Sequence, residues 1–114
     1  MIFNKKKLWE ILIPKYTNNK KKYSVKHHRV WDKKVREVSG DITILKPAKC
    51  QWINPSGKMF EDEMIPARLL CSEKNMAQIV EFTMNHYNDQ EAILVYVVSE
   101  DVRFIFRDKN KHHL

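Results

Sequence analysis

The chain has 114 residues, 43% of them hydrophobic and 31% charged, and a net charge of +7. This fits one globular domain with a core that needs no staples. It excludes a helical membrane span, because no apolar run approaches the roughly 18 residues that crossing a bilayer takes.

In chain order, residues 8–13 alternate as a strand that Pro14 ends. Ser24 is placed to cap a helix over residues 25–38, with Val30/Trp31, Val35 and Val38 on its apolar face. Gly40 suits the position after that helix, where a positive φ is needed. Residues 42–45 read as a short strand, and pairing resumes at 50–53, with Pro47 marking a bulge or an edge between the two parts. Asn54-Pro55-Ser56-Gly57 turns the chain into a strand over 60–71. Pro66 within it predicts a bulge or an unpaired amide. Ser72 caps a second helix whose stripe is Met76, Ile79, Val80, Thr83 and Tyr87. Residues 92–98 are a nearly continuous apolar strand, a pattern expected when both faces are covered. Val102, Phe104 and Phe106 alternate as an extra C-terminal strand.

The order β-α-β-β-α-β predicts an α+β, ferredoxin-like antiparallel sheet with two helices on one face. Residues 1–108 form the single domain, and 109–114 are expected to be a disordered basic tail. Residues 17–22 are also expected to be flexible. A sheet covered on one side predicts a homo-oligomer, a dimer or trimer, with residues 102–106 pairing to a neighbour.

Two cysteines, Cys50 and Cys71, sit in no C-x-x-C arrangement and are read as packed thiols. Neither has a second ligand at metal-binding spacing, so no metal is expected. The terminus MIFNKKKLWE has basic residues but no apolar stretch or cleavage site of a signal peptide, so the expected location is the cytoplasm.

The centre of the chain, KCQWINPSGKMFEDEMIPARLLC, carries the functional signal. Trp52 lies on one strand, and Glu61, Asp62 and Glu63 open the next. In an otherwise basic chain, acids beside an indole suggest a pocket for a cationic ligand, held by carboxylate charge and by the ring face. Glu61 and Glu63 share a face in an extended segment, and Asp62 takes the other. Trp52 and Glu63 are read as lining one groove. The bland alternative is a hairpin whose acids are solvated. His27 and His28 at a helix start are read as solvent-facing, and His86 as snorkelling. No G-x-S-x-G, P-loop or dinucleotide fingerprint occurs, so ATP and dinucleotide use are disfavoured and no cofactor is expected.

These segments resemble the small phage enzymes that destroy S-adenosylmethionine, the SAM hydrolases or lyases of T3-like phages. The likeness rests on LWEILIP, the helix opening KHHRVWDKKV, the CQW tripeptide, an acid downstream of it, and CSEKNMAQIVEFTMNHYNDQEAILVY, together covering residues 8–98. Trp52 stands where the family has a tyrosine. The resemblance implies a ferredoxin-like trimer that binds S-adenosylmethionine between subunits and needs no metal or cofactor. It implies conversion to methylthioadenosine and homoserine lactone (or homoserine), counteracting SAM-dependent host defence. Glu63 would be the catalytic acid, with Trp52 and Glu61 contacting substrate. The alternative is a non-catalytic oligomeric binding module that uses its basic surface on nucleic acid. Lysines clustered on one face would favour that alternative, and scattered lysines would weaken it.

Overall fold

The structure, a computed structural model, describes residues 6–107. The expected disordered tail at 109–114 lies outside them. The elements run β1 (Lys7–Pro14), α1 (Val25–Ser39), β2 (Thr43–Ile44), β3 (Ala48–Ile53), β4 (Met59–Cys71), α2 (Glu73–His86) and β5 (Val95–Ser99). They form one antiparallel sheet in the order β2-β4-β1-β5, with β3 also on β4. This is the expected ferredoxin-like α+β plan.

Local chemistry sets the helix ends. The Ser24 hydroxyl accepts the His27 amide and the Ser72 hydroxyl accepts the Asn75 amide, each satisfying a donor the helix leaves free. Gly40 ends α1 at φ +87°, and its amide donates to the Arg36 carbonyl.

Alternation on the central strands decides where the core sits. Ile11 and Ile13 of β1 and Ala67, Leu69 and Cys71 of β4 face the helices. There they meet Trp31 and Val35 of α1 and Met76, Ile79 and Tyr87 beside them. Each fully buried large aliphatic among these contributes about 1.5–3 kcal/mol of transfer free energy. The Trp31 indole donates to Thr83 Oγ1 at 2.9 Å, and that hydroxyl donates to the Ile79 carbonyl, so the polar groups between the helices are satisfied. On the opposite, open face, Glu10 stands across from Arg68 and pairs with it at 3.0 Å.

The two prolines explain the interrupted edge. The Pro66 carbonyl accepts from the Leu45 amide, so the side of Pro66 that lacks a donor also faces β2 and β3. That is where β4 changes partner. Ile44 pairs with Ala67, but Ala48 pairs with Met64, so residues 45–47 hold one residue more than the strand opposite. The sheet thus carries a one-residue bulge at Pro47.

Several expectations are corrected. The fifth strand comes from this division into β2 and β3, not from the C-terminus. Residues 101–107 make no strand pairing. Strand β5 starts at Val95 rather than at 92, and it is an edge strand. Leu94, Tyr96, Val97 and Val98 are exposed, so its apolar run is not covered on both sides in the single chain. Residues 17–22 are not loose: Tyr16 bridges Lys22, the Thr17 amide donates to the Lys21 carbonyl, and Lys20 takes φ +65° to close the turn. Cys50 and Cys71 are free, as expected, and burial pushes the Cys71 thiol up to about 11.

Candidate functional site

The β3–β4 hairpin is the part that carries the chemistry, and its loop fixes what each strand presents. The Asn54 side-chain oxygen accepts from the Ser56 and Lys58 amides and from the Ser56 hydroxyl. Gly57 takes φ +87°, which glycine allows without a Cβ penalty. The Asn54 amide donates to the Lys58 carbonyl, so Ile53 pairs with Met59. The register then follows as Trp52 with Phe60, Gln51 with Glu61, Cys50 with Asp62 and Lys49 with Glu63.

Period-two alternation sorts these pairs into two faces. Cys50, Trp52, Phe60, Asp62 and Met64 lie on the sheet's open face. Glu61 and Glu63 lie on the other. Trp52 and Glu63, expected to line one groove, are therefore on opposite faces of one protomer. The acid beside the indole is Asp62: Trp52 Nε1–H donates to Asp62 Oδ2 at 3.4 Å. The indole stacks on Phe60 with ring centroids 4.8 Å apart, and Lys58 Nζ lies 4.9 Å from the Phe60 centroid.

This aromatic pair walls a cleft of about 480 Å³. Leu12 and Met64 form its floor, and the far wall is the 90–94 segment, with Asn18 at one end. A volume of that order suits one small ligand. Asp62 makes no ion pair among the described residues, and neither does Glu91 on the far wall, which accepts from the Asn54 side-chain Nδ2 at 3.5 Å. Two carboxylates without cationic partners, next to ring faces, form an environment that attracts a cation. The Cys50 thiol at the rim is raised by burial, then by the Asp62 charge and by Glu10.

The opposite face differs in its charge balance. Glu63 pairs with Lys15 at 3.1 Å and is 42% exposed. Glu61 pairs with Lys49 at 2.9 Å and accepts from Gln51, and the bond from Lys49 holds its carboxyl below the usual range. With Tyr16 and Lys20 they border a wider hollow in which lysines offset the acids.

A cluster at the helix ends positions the cleft's far wall. Asp89 accepts from the Asn18 amide at 2.8 Å, from the Tyr23 hydroxyl and from the Gln90 side chain. Burial pushes its carboxyl up, but these hydrogen bonds outweigh that and hold it below its ordinary value. The histidines are also tied in rather than solvent-facing. His27 and His86 stack at 3.8 Å, and each ring's Nε2–H donates to the other residue's backbone carbonyl. His28 Nδ1 meets the Tyr87 hydroxyl at 2.7 Å. The helix ends converge here, which sequence spacing did not reveal. Among the described residues no group of three or more His, Cys, Asp or Glu is arranged to hold a metal. No helix there is long and apolar enough to cross a membrane.

The sequence reading named Asp62 among the acids and set it on the face opposite Glu61 and Glu63, but it joined Trp52 to Glu63 and did not single out Phe60 or Glu91. The partnering of Trp52 with Asp62 and Phe60 was within reach of an exact loop length, because the hairpin register decides their face. Glu91 carried no local signal.

No family model matches the sequence, and no curated protein matches it either. Solved structures do share the fold. A phage SAM lyase in complex with S-methyl-5'-thioadenosine is similar at a TM-score of 0.63 and 11% identity, over 88% of this chain and 85% of that one. The divalent cation tolerance protein CutA1 of Thermus thermophilus is similar at 0.61 and 11%, over 95% and 91%. CutA1 of Oryza sativa follows at 0.59 and 9%, over 94% and 85%. At such identities the likeness establishes the fold alone.

Proposed function

We propose that this chain degrades S-adenosylmethionine in the Trp52–Asp62 cleft. The observation that carries the reading is the pairing of stacked aromatic rings with unpaired carboxylates in a cleft of small-molecule size. S-Adenosylmethionine combines an aromatic base with a sulfonium and an ammonium, and those are the groups such a cleft attracts. The fold shared with a phage SAM lyase is consistent with this choice.

The chemistry needs little from the protein beyond shape and charge. The substrate's own carboxylate oxygen attacks the carbon next to the sulfonium, a C–O bond forms and the C–S bond breaks. The electron pair moves to sulfur and neutralises it, releasing methylthioadenosine and homoserine lactone. In the hydrolytic version water is the nucleophile, and homoserine and a proton result. The chain would hold a bent conformer with attacking oxygen and carbon in line, using Trp52 and Phe60 for the base or sulfonium and Asp62 for the cationic end. For Glu63 to act as the catalytic acid, or Glu61 to touch substrate, a neighbouring copy has to bring them to the cleft. The exposed apolar β5 and residues 104–106 suit assembly into a dimer or trimer. The proposed setting is the cytoplasm.

The test is incubation of the purified protein with S-adenosylmethionine and chromatography of the products. Methylthioadenosine with homoserine lactone or homoserine is expected. Unchanged substrate at high protein concentration ends this reading. The second reading, a non-catalytic oligomeric module, draws on the equally similar CutA1 fold. It predicts a stable oligomer and no turnover.

A further inference from the structure

Helix α1 carries a one-sided row of cations. Lys26, Arg29, Lys33 and Arg36 recur at helical spacing and all are exposed, while Trp31 and Val35 on the other side enter the core. With a rise of 1.5 Å per residue, the row spans about 15 Å. Lys34 flanks it, and Lys21 and Lys22 are exposed in the turn before the cap. None of these makes an ion pair among the described residues, where pairing falls to Lys7, Lys15, Lys49, Arg68 and Arg103.

Only part of this row serves the helix itself. Arg36 in the last turn suits the dipole and has Asp32 four residues before it, and Glu37 lies four residues after Lys33, but the first turn holds Lys26 and no acid, the reverse of what the dipole favours. Helix α2 shows that the pattern is not mere lysine enrichment: its exposed positions mix Glu73, Lys74, Gln78 and Glu81, whereas those of α1 hold five cations against Glu37 alone. Such an excess of exposed cations on one helix is complementary to a polyanion.

The surroundings narrow the polyanion. Single strands are held by exposed aromatic rings on which bases stack, and the row has none, since Trp31 is 1% exposed. Membrane surfaces take helices with a broad apolar face beside the cations, and α1 exposes only Val25 and Val30 as large apolar groups. Duplex backbone, with a charge every 1.7 Å or so along its axis, asks only for cations in a line. We propose that the outer face of α1 binds the phosphate backbone of double-stranded nucleic acid, without reading sequence, through Lys26, Arg29, Lys33 and Arg36. The row and the Trp52–Asp62 cleft lie on opposite sides of the sheet, so this proposal stands or falls independently of the enzymatic one.

The full chain is titrated against a labelled duplex of about 20 base pairs across roughly 25–200 mM salt, where four phosphate contacts give a log–log slope of about −4. Combined Lys26→Glu, Arg29→Glu and Lys33→Glu is expected to weaken binding at least about 100-fold. A charge-matched control, Lys46→Glu with Lys74→Glu and Arg103→Glu, is expected to stay within about threefold. Circular dichroism checks that each variant folds. The milder Lys26→Gln, Arg29→Gln and Lys33→Gln set is expected to flatten the slope to about −1. Equal losses in the two charge-reversal sets overturn the proposal, because net charge alone would then explain binding. So does failure to bind duplex at the lowest salt. Tighter binding to the single strand or to phosphatidylglycerol vesicles overturns it as well.

Discussion

The two faces of the β3–β4 hairpin share a sequence and differ in what they can do. On one, Trp52, Phe60 and Asp62 border an apolar cleft, and the acid has an indole N–H as its neighbour. On the other, Glu61 and Glu63 are taken by Lys49 and Lys15. An acid's neighbours decide its use more than its presence does. A carboxylate already paired with an exposed lysine contributes little to stability or to ligand attraction, whereas one beside a ring in a walled cleft keeps its charge available.

Breaking the aromatic side should have the largest effect. Trp52→Ala is expected to lower affinity for S-methyl-5'-thioadenosine about 100-fold by calorimetry, through lost stacking on the base. Its thermal midpoint should stay near that of the parent, since the indole is only half-buried. Next comes the choice of acid. Asp62→Asn is expected to cost about 10–100-fold in S-adenosylmethionine turnover, and Glu63→Gln or Glu61→Gln less than about threefold. The opposite ranking would move the site to the other face, or to a seam between copies.

A smaller effect sharpens the picture of the far wall. Tyr23→Phe removes one hydroxyl from Asp89 and should weaken ligand binding about threefold, the scale of one net hydrogen bond. Amide exchange over residues 90–94 should speed up with it. Unchanged exchange there would detach the Asp89 cluster from the cleft. The smallest effect is in acid. Asp89 is held below its ordinary 3.8 in the folded chain, so the unfolded chain binds its proton more readily. Its stabilising contribution is complete above about pH 4 and fades as pH falls through the lowered value. Asp89→Asn should flatten that acid limb in urea titrations read against pH.

Much of the architecture was legible residue by residue. Ser24 and Ser72 announced both helix starts, Gly40 an end, and the α2 stripe its buried face. Pro47 and Pro66 marked the interruption that the sheet shows. The split βαβ order followed from these, and with it the side of the sheet that the helices cover. The candidate site was only partly legible. Trp52 was visible as an exposed-strand aromatic near acids, but the acid next to it was not. A four-residue loop would have put Trp52 on the face of Glu61 and Glu63. The five-residue loop closed by Asn54, matched by the bulge at Pro47, turns it toward Asp62.

Local signals therefore settled this protein's elements, caps and core stripes, because dihedral preference, hydrophobic period and capping act within a few residues. Tertiary structure alone decided the face of the indole, the meeting of Asn18, Tyr23 and Asp89, and the wall supplied by residues 90–94. Side-chain facing in a sheet reverses with a slip of one residue, and contacts between distant loops leave no trace in the segments that make them.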